Sequence, residues 1–299
     1  MPRLDLSDLA ATRAAARSMI ETQTPRGAAA ILAPGVEWTE ETLSLADGRS
    51  MPCRVYRPGS ANGRSAALVF IHGGGFVTGG LDDEHIRCMR YAAGVGCVVI
   101  ALTYRLAPEH PWPAAFEDCY QGLDAILERH DELGIDPARV ALGGISAGAA
   151  LAAGLAQRAR DVGGPALVLQ LLLYPALDDR MATASARRYT DAPWWDARHC
   201  AQMWDYYLGP RRDVAGPYAA PGRTEDLAGL PPAHIVVAEL DALRDEAIEY
   251  ATRLNQAGVP VELHQYAGTF HGFDGLIGPE LCARAMAEQV AVLRSALHP

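Results

Sequence analysis

The chain has 299 residues, 49% of them hydrophobic and 21% charged, proportions that are typical of globular proteins and exclude disordered or fibrous architectures. Its net charge is −10 and its basic residues are all arginine, a balance that disfavours nucleic-acid binding and docking on an anionic membrane. The N-terminal residues lack a basic start followed by an apolar run, so we expect a cytoplasmic protein without a secretory signal.

The first 35 residues or so carry a helical pattern that is interrupted from Pro25 onward. Two short β-rich runs follow at 41–45 and 53–56, with a turn at Asp47-Gly48 between them. Two runs joined by such a turn predict a β-hairpin ahead of the rest of the fold.

Beyond Gly63, short apolar runs alternate with helical stretches. Continuous apolar runs are typical of strands buried on both faces of a parallel sheet, and their alternation with helices predicts βαβ units. With the hairpin, the pattern predicts about eight strands in a single domain over 1–299. The six apolar runs are 66–71, 97–102, 139–142, 167–173, 234–238 and 261–266.

A stretch at about 178–222 breaks this alternation, because it has no clear strand and is rich in aromatic residues. We interpret it as an insertion between two strands. Its aromatic residues fit two interpretations equally well, the core of a helical unit or an apolar wall over a pocket. They are Trp194, Trp195, Trp204, Tyr206 and Tyr207.

The sequence GISAG at 144–148 lies between a predicted strand and an apolar helix at 149–158. A strand, a tight turn and a helix form the setting of a nucleophile elbow, in which the serine stands exposed at the top of a sheet. The turn demands small flanking residues, and this motif supplies them. Ser146 is therefore the predicted nucleophile.

The sequence HGGGF at 72–76 directly follows a predicted strand. Glycines let backbone N–H groups approach a substrate, and such donors stabilise the oxyanion of acyl transfer by roughly 3–4 kcal/mol each. We expect the N–H groups of Gly74, Gly75 and Ala147 to do this, with His72 holding the loop. A phosphate-binding loop is excluded, because neither GxxxxGK[ST] nor GxGxxG is present.

A serine nucleophile needs a base and an acid that orients it, in the chain order Ser, Asp or Glu, His. His271 follows the last predicted strand and is the predicted base. Asp241 ranks first as the acid because it follows the strand before. The residues alone leave alternatives open, namely Asp245, Glu239, Asp178 and Asp179.

The sequence predicts neither a cofactor nor a metal ion, because it has no HExxH motif and no clustered Cys and His residues. The six cysteines are scattered without a CxxC pair, and we expect buried free thiols.

Five stretches together resemble the hormone-sensitive-lipase-like (family IV) esterases of the α/β-hydrolase superfamily, in order and spacing over nearly the whole chain. They are HGGGF at 72–76, YRLAPEHPWPA at 104–114, GISAG at 144–148, DALRDE at 241–246 and HGF at 271–273. The resemblance implies an α/β-hydrolase fold with a helical cap, built here from 1–40 and about 180–222.

The same resemblance implies a catalytic triad of Ser146, Asp241 and His271, which selects Asp241 among the acids. It extends the oxyanion loop to Gly73. One residue departs from the family pattern, because Ile145 stands where relatives usually have an acid. We expect the substrate pocket to include Phe76, Ile145, Trp194, Trp195 and Tyr207.

The predicted function is hydrolysis of short- to medium-chain carboxylic esters through an acyl-enzyme on Ser146. Two alternatives stay open: an amide, formamide or carbamate hydrolase with the same residues, and a non-catalytic ligand receptor of the same fold. The expected partner is a small-molecule ester, with no nucleic acid and no membrane. Dimers are common among such enzymes, so the resemblance also allows a homodimer.

Overall fold

A computed structural model of the protein describes residues 5–23, 33–59, 63–214, 216–275 and 279–298. Within them, one eight-stranded sheet has helices on both faces. The strands are β1 Val36–Ser44, β2 Ser50–Pro58, β3 Ser65–Ile71, β4 Val98–Leu102, β5 Ile135–Ile145, β6 Leu167–Leu173, β7 Ala233–Ala238 and β8 Val261–Tyr266. The α-helices are α1 Leu9–Gln23, α2 His85–Val95, α3 Ala114–Glu128, α4 His130–Leu133, α5 Ala147–Asp161, α6 Ala184–Arg188, α7 Ala197–Leu208, α8 Arg244–Gln256 and α9 Pro279–Leu297.

The strand order is β1-β2-β4-β3-β5-β6-β7-β8. The hairpin β1-β2 is antiparallel and joins β4 in antiparallel register, and every other pairing is parallel. The predicted eight-stranded, mostly parallel sheet is therefore confirmed. Strand β5 extends beyond the apolar run at 139–142 from which it was predicted. Its last residue, Ile145, still pairs with Leu173 of β6.

Alternate side chains of the central strands enter two separate cores, one on each face of the sheet. In β3, Leu68 and Phe70 join the core under α2 and α9, whereas Val69 and Ile71 join the core under α3, α5 and α8. All four side chains are fully buried. Burial on both faces explains why these strands are apolar throughout rather than alternating.

The carboxyl ends of the parallel strands lie on the same side of the sheet, which is where ligands of open α/β sheets bind. The loop after β3 carries the three glycines, β5 leads into Ser146, β7 leads to Asp241, and β8 leads to His271. The strand ends thus bring together residues that lie far apart in the sequence.

The stretch at 178–222 contains α6, α7 and short 3₁₀ turns, and its described residues, 178–214 and 216–222, hold no strand, as the sequence predicts. Helix α7 begins with a capping box in which Asp196 accepts from the backbone N–H of His199 and the His199 side chain accepts from the N–H of Asp196. The N-terminal helical prediction corresponds to α1, whereas residues 1–4 and 24–32 lie outside the described residues. No helix in the described ranges combines the length and apolarity that a membrane crossing requires.

Candidate active site

The turn between β5 and α5 holds Ser146 in a strained backbone conformation. Its φ is 55° and its ψ is −117°, a region that residues with a side chain rarely adopt. A Cβ on Gly144 would lie 2.3 Å from the carbonyl oxygen of Gly148, and a Cβ on Gly148 would lie 2.2 Å from that of Ile71. The two glycines are therefore required for the turn to close, which is why this motif can be found from sequence.

Ser146, His271 and Asp241 form one hydrogen-bonded chain. The Oγ of Ser146 lies 2.9 Å from Nε2 of His271, and Nδ1 of His271 lies 2.7 Å from Oδ2 of Asp241. A carboxylate can only accept, so Nδ1–H donates to Asp241 and the lone pair on Nε2 faces the serine hydroxyl. This tautomer is the one that can take a proton from Ser146.

The structure also separates Asp241 from the rival acids. Asp241 is 1% exposed, and its Oδ1 accepts from the backbone N–H of Leu243 at 2.9 Å, which fixes the carboxylate plane. Asp245 instead accepts from the N–H of Ser185, and Glu239 from that of Gly268. The remaining two rivals, Asp178 and Asp179, are salt-bridged to Arg180 and Arg223 respectively.

The glycine loop after β3 packs directly against the elbow. A Cβ on Gly73 would lie 3.1 Å from the carbonyl oxygen of Ile145 and 3.5 Å from Cβ of Ser146. The carbonyl of Gly74 accepts from the N–H groups of Val77 and Thr78, which closes the loop into a turn. At the other side of Ser146, the N–H of Ala147 opens α5 and has no partner within the helix. The oxyanion role of the N–H groups in this loop and of Ala147 stays a prediction from the sequence.

We expect Gly74→Ala to lower kcat/KM by about 10²- to 10³-fold, the effect of losing an oxyanion donor. Gly74 has a φ of +99°, and a Cβ there would lie 2.2 Å from the carbonyl oxygen of Thr78, so the loop must shift. Gly80→Ala is the matched control, because a Cβ at Gly80 has no neighbour within 4 Å. Similar activities of the two variants in a steady-state ester assay would contradict an oxyanion role for the loop.

His72 packs against the glycine loop and holds its first residue by a hydrogen bond. Its ring stacks on Tyr104 with centroids 4.3 Å apart, and its Nδ1–H donates to the carbonyl of Gly73 at 2.8 Å. Its Nε2 is buried without a hydrogen-bond partner, so a proton there would be unsatisfied. Burial accordingly lowers the pKa of His72 to about 4. His72 is placed as a structural residue, as the sequence predicts, and not as a base.

This lowered pKa predicts that His72 makes the folded state less stable in acid. Between pH 6.5 and 4 the unfolded chain binds a proton at His72 that the folded chain does not, so stability falls as the pH falls. Chemical denaturation of wild type and His72→Phe should show a pH dependence about 2 kcal/mol flatter in the variant between pH 7 and 4.5. Parallel wild-type and His72→Phe curves would contradict burial of a neutral His72.

The cleft above Ser146 encloses about 160 Å³. Of the predicted pocket residues, Ile145, Trp194 and Trp195 line it. Phe76 and Tyr207 do not, and both are fully buried with their rings stacked on each other at 3.7 Å. Phe76 has a φ of 61°, which turns its side chain into the core, so its position beside Gly75 in the sequence is misleading.

Five further residues line the cleft without having been predicted from the sequence: Ala16, Thr78, Asp83, Glu84 and Gly272. Gly272 is next to His271, so proximity along the chain could have found it. Thr78 lies three residues after Gly75 and could have been found in the same way. The other three have no such signal, because α1 and the residues just before α2 reach the cleft only through the tertiary fold. Asp83 and Glu84 read in sequence as a polar helix start, yet they place two carboxyl groups at the cleft.

A buried ion-pair network holds the loop that carries His271. Arg87 donates to both oxygens of Asp274, at 2.9 and 3.0 Å, and its Nε donates to Glu84 at 2.7 Å. The hydroxyl of Tyr174 also donates to Asp274, while the Tyr174 ring packs edge-on against His271 with centroids 5.2 Å apart. Burial raises the pKa of Glu84 and the Arg87 charge opposes the shift. The network joins α2 to the His271 loop.

The protein is similar to known esterases over most of its length. It is 42% identical over 259 residues to esterase LipI of Mycobacterium tuberculosis, covering 84% of this chain and 81% of the relative. It is 34% identical over 237 residues to an ethyl acetate hydrolase of Pseudomonas putida, covering 78% and 74%. The solved structure of a bacterial heroin esterase matches with a TM-score of 0.92 at 40% identity, covering 100% of this chain and 95% of that one.

A family model described as the alpha/beta hydrolase fold matches residues 68–275, which include the glycine loop, the elbow, Asp241 and His271. The matched segment is most of the chain, and the relatives above are covered over most of their own lengths. The chain therefore belongs to the α/β-hydrolase family, in its hormone-sensitive-lipase-like branch.

Proposed function

We propose that the protein is a serine carboxylic-ester hydrolase in which Ser146, His271 and Asp241 are the catalytic residues. The observation that carries the proposal is the hydrogen-bonded chain from Ser146 Oγ through His271 to Asp241, with distances of 2.9 and 2.7 Å. The strained elbow and the adjacent glycine loop support it, because both are needed for acyl transfer and neither is needed for a stable core.

In the proposed reaction, Nε2 of His271 takes the hydroxyl proton as Ser146 Oγ attacks the ester carbonyl carbon. The N–H groups of Gly74, Gly75 and Ala147, with Gly73 at the start of the loop, stabilise the resulting oxyanion. The C–O bond to the alcohol breaks, and His271 returns the proton to the departing oxygen. In the second half of the reaction, His271 takes a proton from a water molecule as the water oxygen attacks the acyl carbon. The bond from this carbon to Ser146 Oγ then breaks, His271 returns the proton to Oγ, and the acid leaves.

The names of the relatives favour ester over amide substrates, since they include an esterase, an ethyl acetate hydrolase and a heroin esterase. Amide, formamide and carbamate hydrolysis need a stronger acid for the leaving nitrogen and form the alternative activity. A ligand receptor without catalysis is the third hypothesis, and the intact hydrogen-bonded chain weighs against it. The proposed chemistry requires no cofactor.

The cleft favours short to medium acyl chains. Its volume of about 160 Å³ is below the roughly 300–1,000 Å³ of pockets for drug-sized ligands. Trp194, Trp195 and Ile145 give it apolar walls. Asp83 and Glu84 also line it, but burial raises the pKa of Asp83 to about 7 and Glu84 is ion-paired with Arg87, so these two residues add little net charge to the cleft.

We further propose that α1 and the stretch at about 180–222 form a cap on a single hydrolase domain. Ala16 of α1 and the two tryptophans 194 and 195 line the cleft from these segments. Tyr206 of α7 donates to the backbone carbonyl of Leu6, which links the segments to each other. A cytoplasmic location remains a sequence-based prediction.

A homodimer through β8 is the proposed assembly. Strand β8 lies at the edge of the sheet and exposes Leu263, and an unpaired edge is a ready template for a second strand. Light scattering should give a mass of two chains of 32.0 kDa each, and Leu263→Arg should reduce the mass to that of the monomer. A wild-type mass of one chain at all concentrations would contradict the dimer.

Hydrolysis of a p-nitrophenyl ester series from acetate to laurate tests the function, with a matched p-nitroanilide for amide cleavage. We expect turnover of short and medium esters, little of laurate, and stoichiometric labelling of Ser146 by a serine-reactive phosphonate. Faster anilide than ester cleavage would establish the amide alternative. Absence of both turnover and labelling in folded protein would favour the receptor.

A further inference from the structure

A second cluster of chemically reactive side chains lies on the last two strands, apart from the residues that line the cleft. His234 of β7 is paired in register with Glu262 of β8. His264 lies two residues after Glu262, so its side chain is on the same face of the strand. The register of a parallel pair thus brings together three residues that the sequence separates by up to 30 positions.

His234 is buried in a way that ordinary packing does not explain. Its side chain is 1% exposed, and neither Nδ1 nor Nε2 has a hydrogen-bond partner. Buried polar groups are normally satisfied, because an unsatisfied one costs roughly 1–3 kcal/mol. A neutral imidazole has one ring nitrogen with a free lone pair, which is the group that a metal ion would bind.

The distances within the cluster are close to those of a metal site. The Oε2 atom of Glu262 lies 3.7 Å from Nδ1 of His234 and 3.6 Å from Nε2 of His264. One ligand atom from each residue lies within 4.8 Å of the other two. Zinc-to-ligand bonds of about 2.0–2.1 Å put tetrahedral ligand atoms roughly 3.4 Å apart. Small side-chain rotations would therefore complete the geometry.

A fourth residue orients His264 as metal-binding histidines are usually oriented. Nδ1 of His264 lies 3.1 Å from Oε2 of Glu288 on α9, and the Tyr266 hydroxyl also donates to Glu288. With its proton on Nδ1, His264 turns the lone pair of Nε2 toward the Glu262 carboxylate. The Nε2 lone pair and the carboxylate oxygen are then both acceptors, and a cation between them would remove their repulsion. Metal-bound histidines commonly donate their other N–H to a carboxylate in this way.

We propose that His234, Glu262 and His264 bind one divalent transition-metal ion of the zinc class, with Glu288 as the carboxylate that orients His264. Two imidazoles and one carboxylate suit zinc, and three protein ligands leave a position for water. The ion would join β8 at the sheet edge to β7 and, through Glu288, to α9. These two strands lead to Asp241 and His271, so the site would stabilise the part of the fold that positions both residues.

The test uses zinc chloride on the full chain after treatment with a chelator. We expect one zinc per chain by mass spectrometry of the dialysed protein, and a higher Tm in zinc. At free zinc 100 times its Kd, the ratio of folded to unfolded protein rises about 100-fold. Cobalt in place of zinc should give the intense visible absorption of tetrahedral coordination.

Substitutions at the proposed ligands show whether the zinc binds at this site or at cysteines and other histidines. His264→Gln and Glu262→Gln, both at solvent-accessible positions, should abolish the bound zinc and the Tm shift. Glu288→Gln should weaken zinc binding about 10- to 100-fold, as loss of a supporting carboxylate does. His110→Gln is the matched control and should bind like wild type.

Failure to detect zinc binding by wild type, or equal binding by His264→Gln, would overturn the proposal. The alternative it would favour is a contact of His264 with Glu262 and Glu288 that needs no metal.

Discussion

Ser146→Ala is expected to lower kcat for short esters by about 10⁶-fold, with the remaining turnover still above that in water. The reason is that the proposed acyl-enzyme cannot form without the Oγ atom that lies 2.9 Å from His271. Binding and the oxyanion donors remain, which is why some acceleration survives. Steady-state kinetics on p-nitrophenyl acetate, with highly purified protein, measures the effect.

Ser185→Ala is the matched control for this prediction. Ser185 is also fully buried, but its hydroxyl donates to the carbonyl of Ala242 and not to a histidine. We expect Ser185→Ala to lose stability and retain turnover and phosphonate labelling, whereas Ser146→Ala loses both. Turnover within tenfold of wild type in Ser146→Ala would refute the proposed nucleophile.

Much of this site could be predicted from sequence because its requirements are local. The elbow needs Gly144 and Gly148, where a Cβ would meet backbone atoms at 2.2 to 2.3 Å, and no other residue can substitute without moving the main chain. The same holds for Gly74 in the loop after β3. Residues that a fixed turn demands leave a pattern that can be read along the chain.

Features that depend on packing between distant segments left no such pattern. Phe76 and Tyr207 are expected in the pocket from their neighbours in the sequence, but they stack on each other in the core. Ala16 and Glu84 have no signal in the sequence as cleft residues, because α1 and the residue before α2 approach the cleft only in three dimensions. The choice of pocket residues is thus the part of the site that needs a structure.

The cluster of His234, Glu262 and His264 shows the same limit for the proposed second site. Spacing along the chain does not place these three residues together. The register of β7 against β8 creates the cluster, and register cannot be read from two apolar runs. A pairing shifted by one residue would turn His234 and Glu262 to opposite faces.

Asp241→Asn is expected to lower kcat by about 10⁴-fold while leaving the fold intact. The backbone N–H of Leu243 donates to Oδ1 of Asp241, so the asparagine would keep its oxygen there and turn its NH₂ group toward His271. An NH₂ donor facing Nδ1 forces the imidazole proton onto Nε2, where it points at Ser146. The base would then hold the wrong tautomer and could not accept the serine proton.

Asp245→Asn provides the matched control, because this neighbouring acid bonds Ser185 and Arg244 instead of His271. We expect it to keep turnover within about tenfold of wild type, since its contacts support structure and not the base. Phosphonate labelling should be slow in Asp241→Asn and normal in Asp245→Asn. The reverse ranking of the two variants would assign the orienting acid to Asp245, and equal, small effects would mean that His271 needs no carboxylate to act on Ser146.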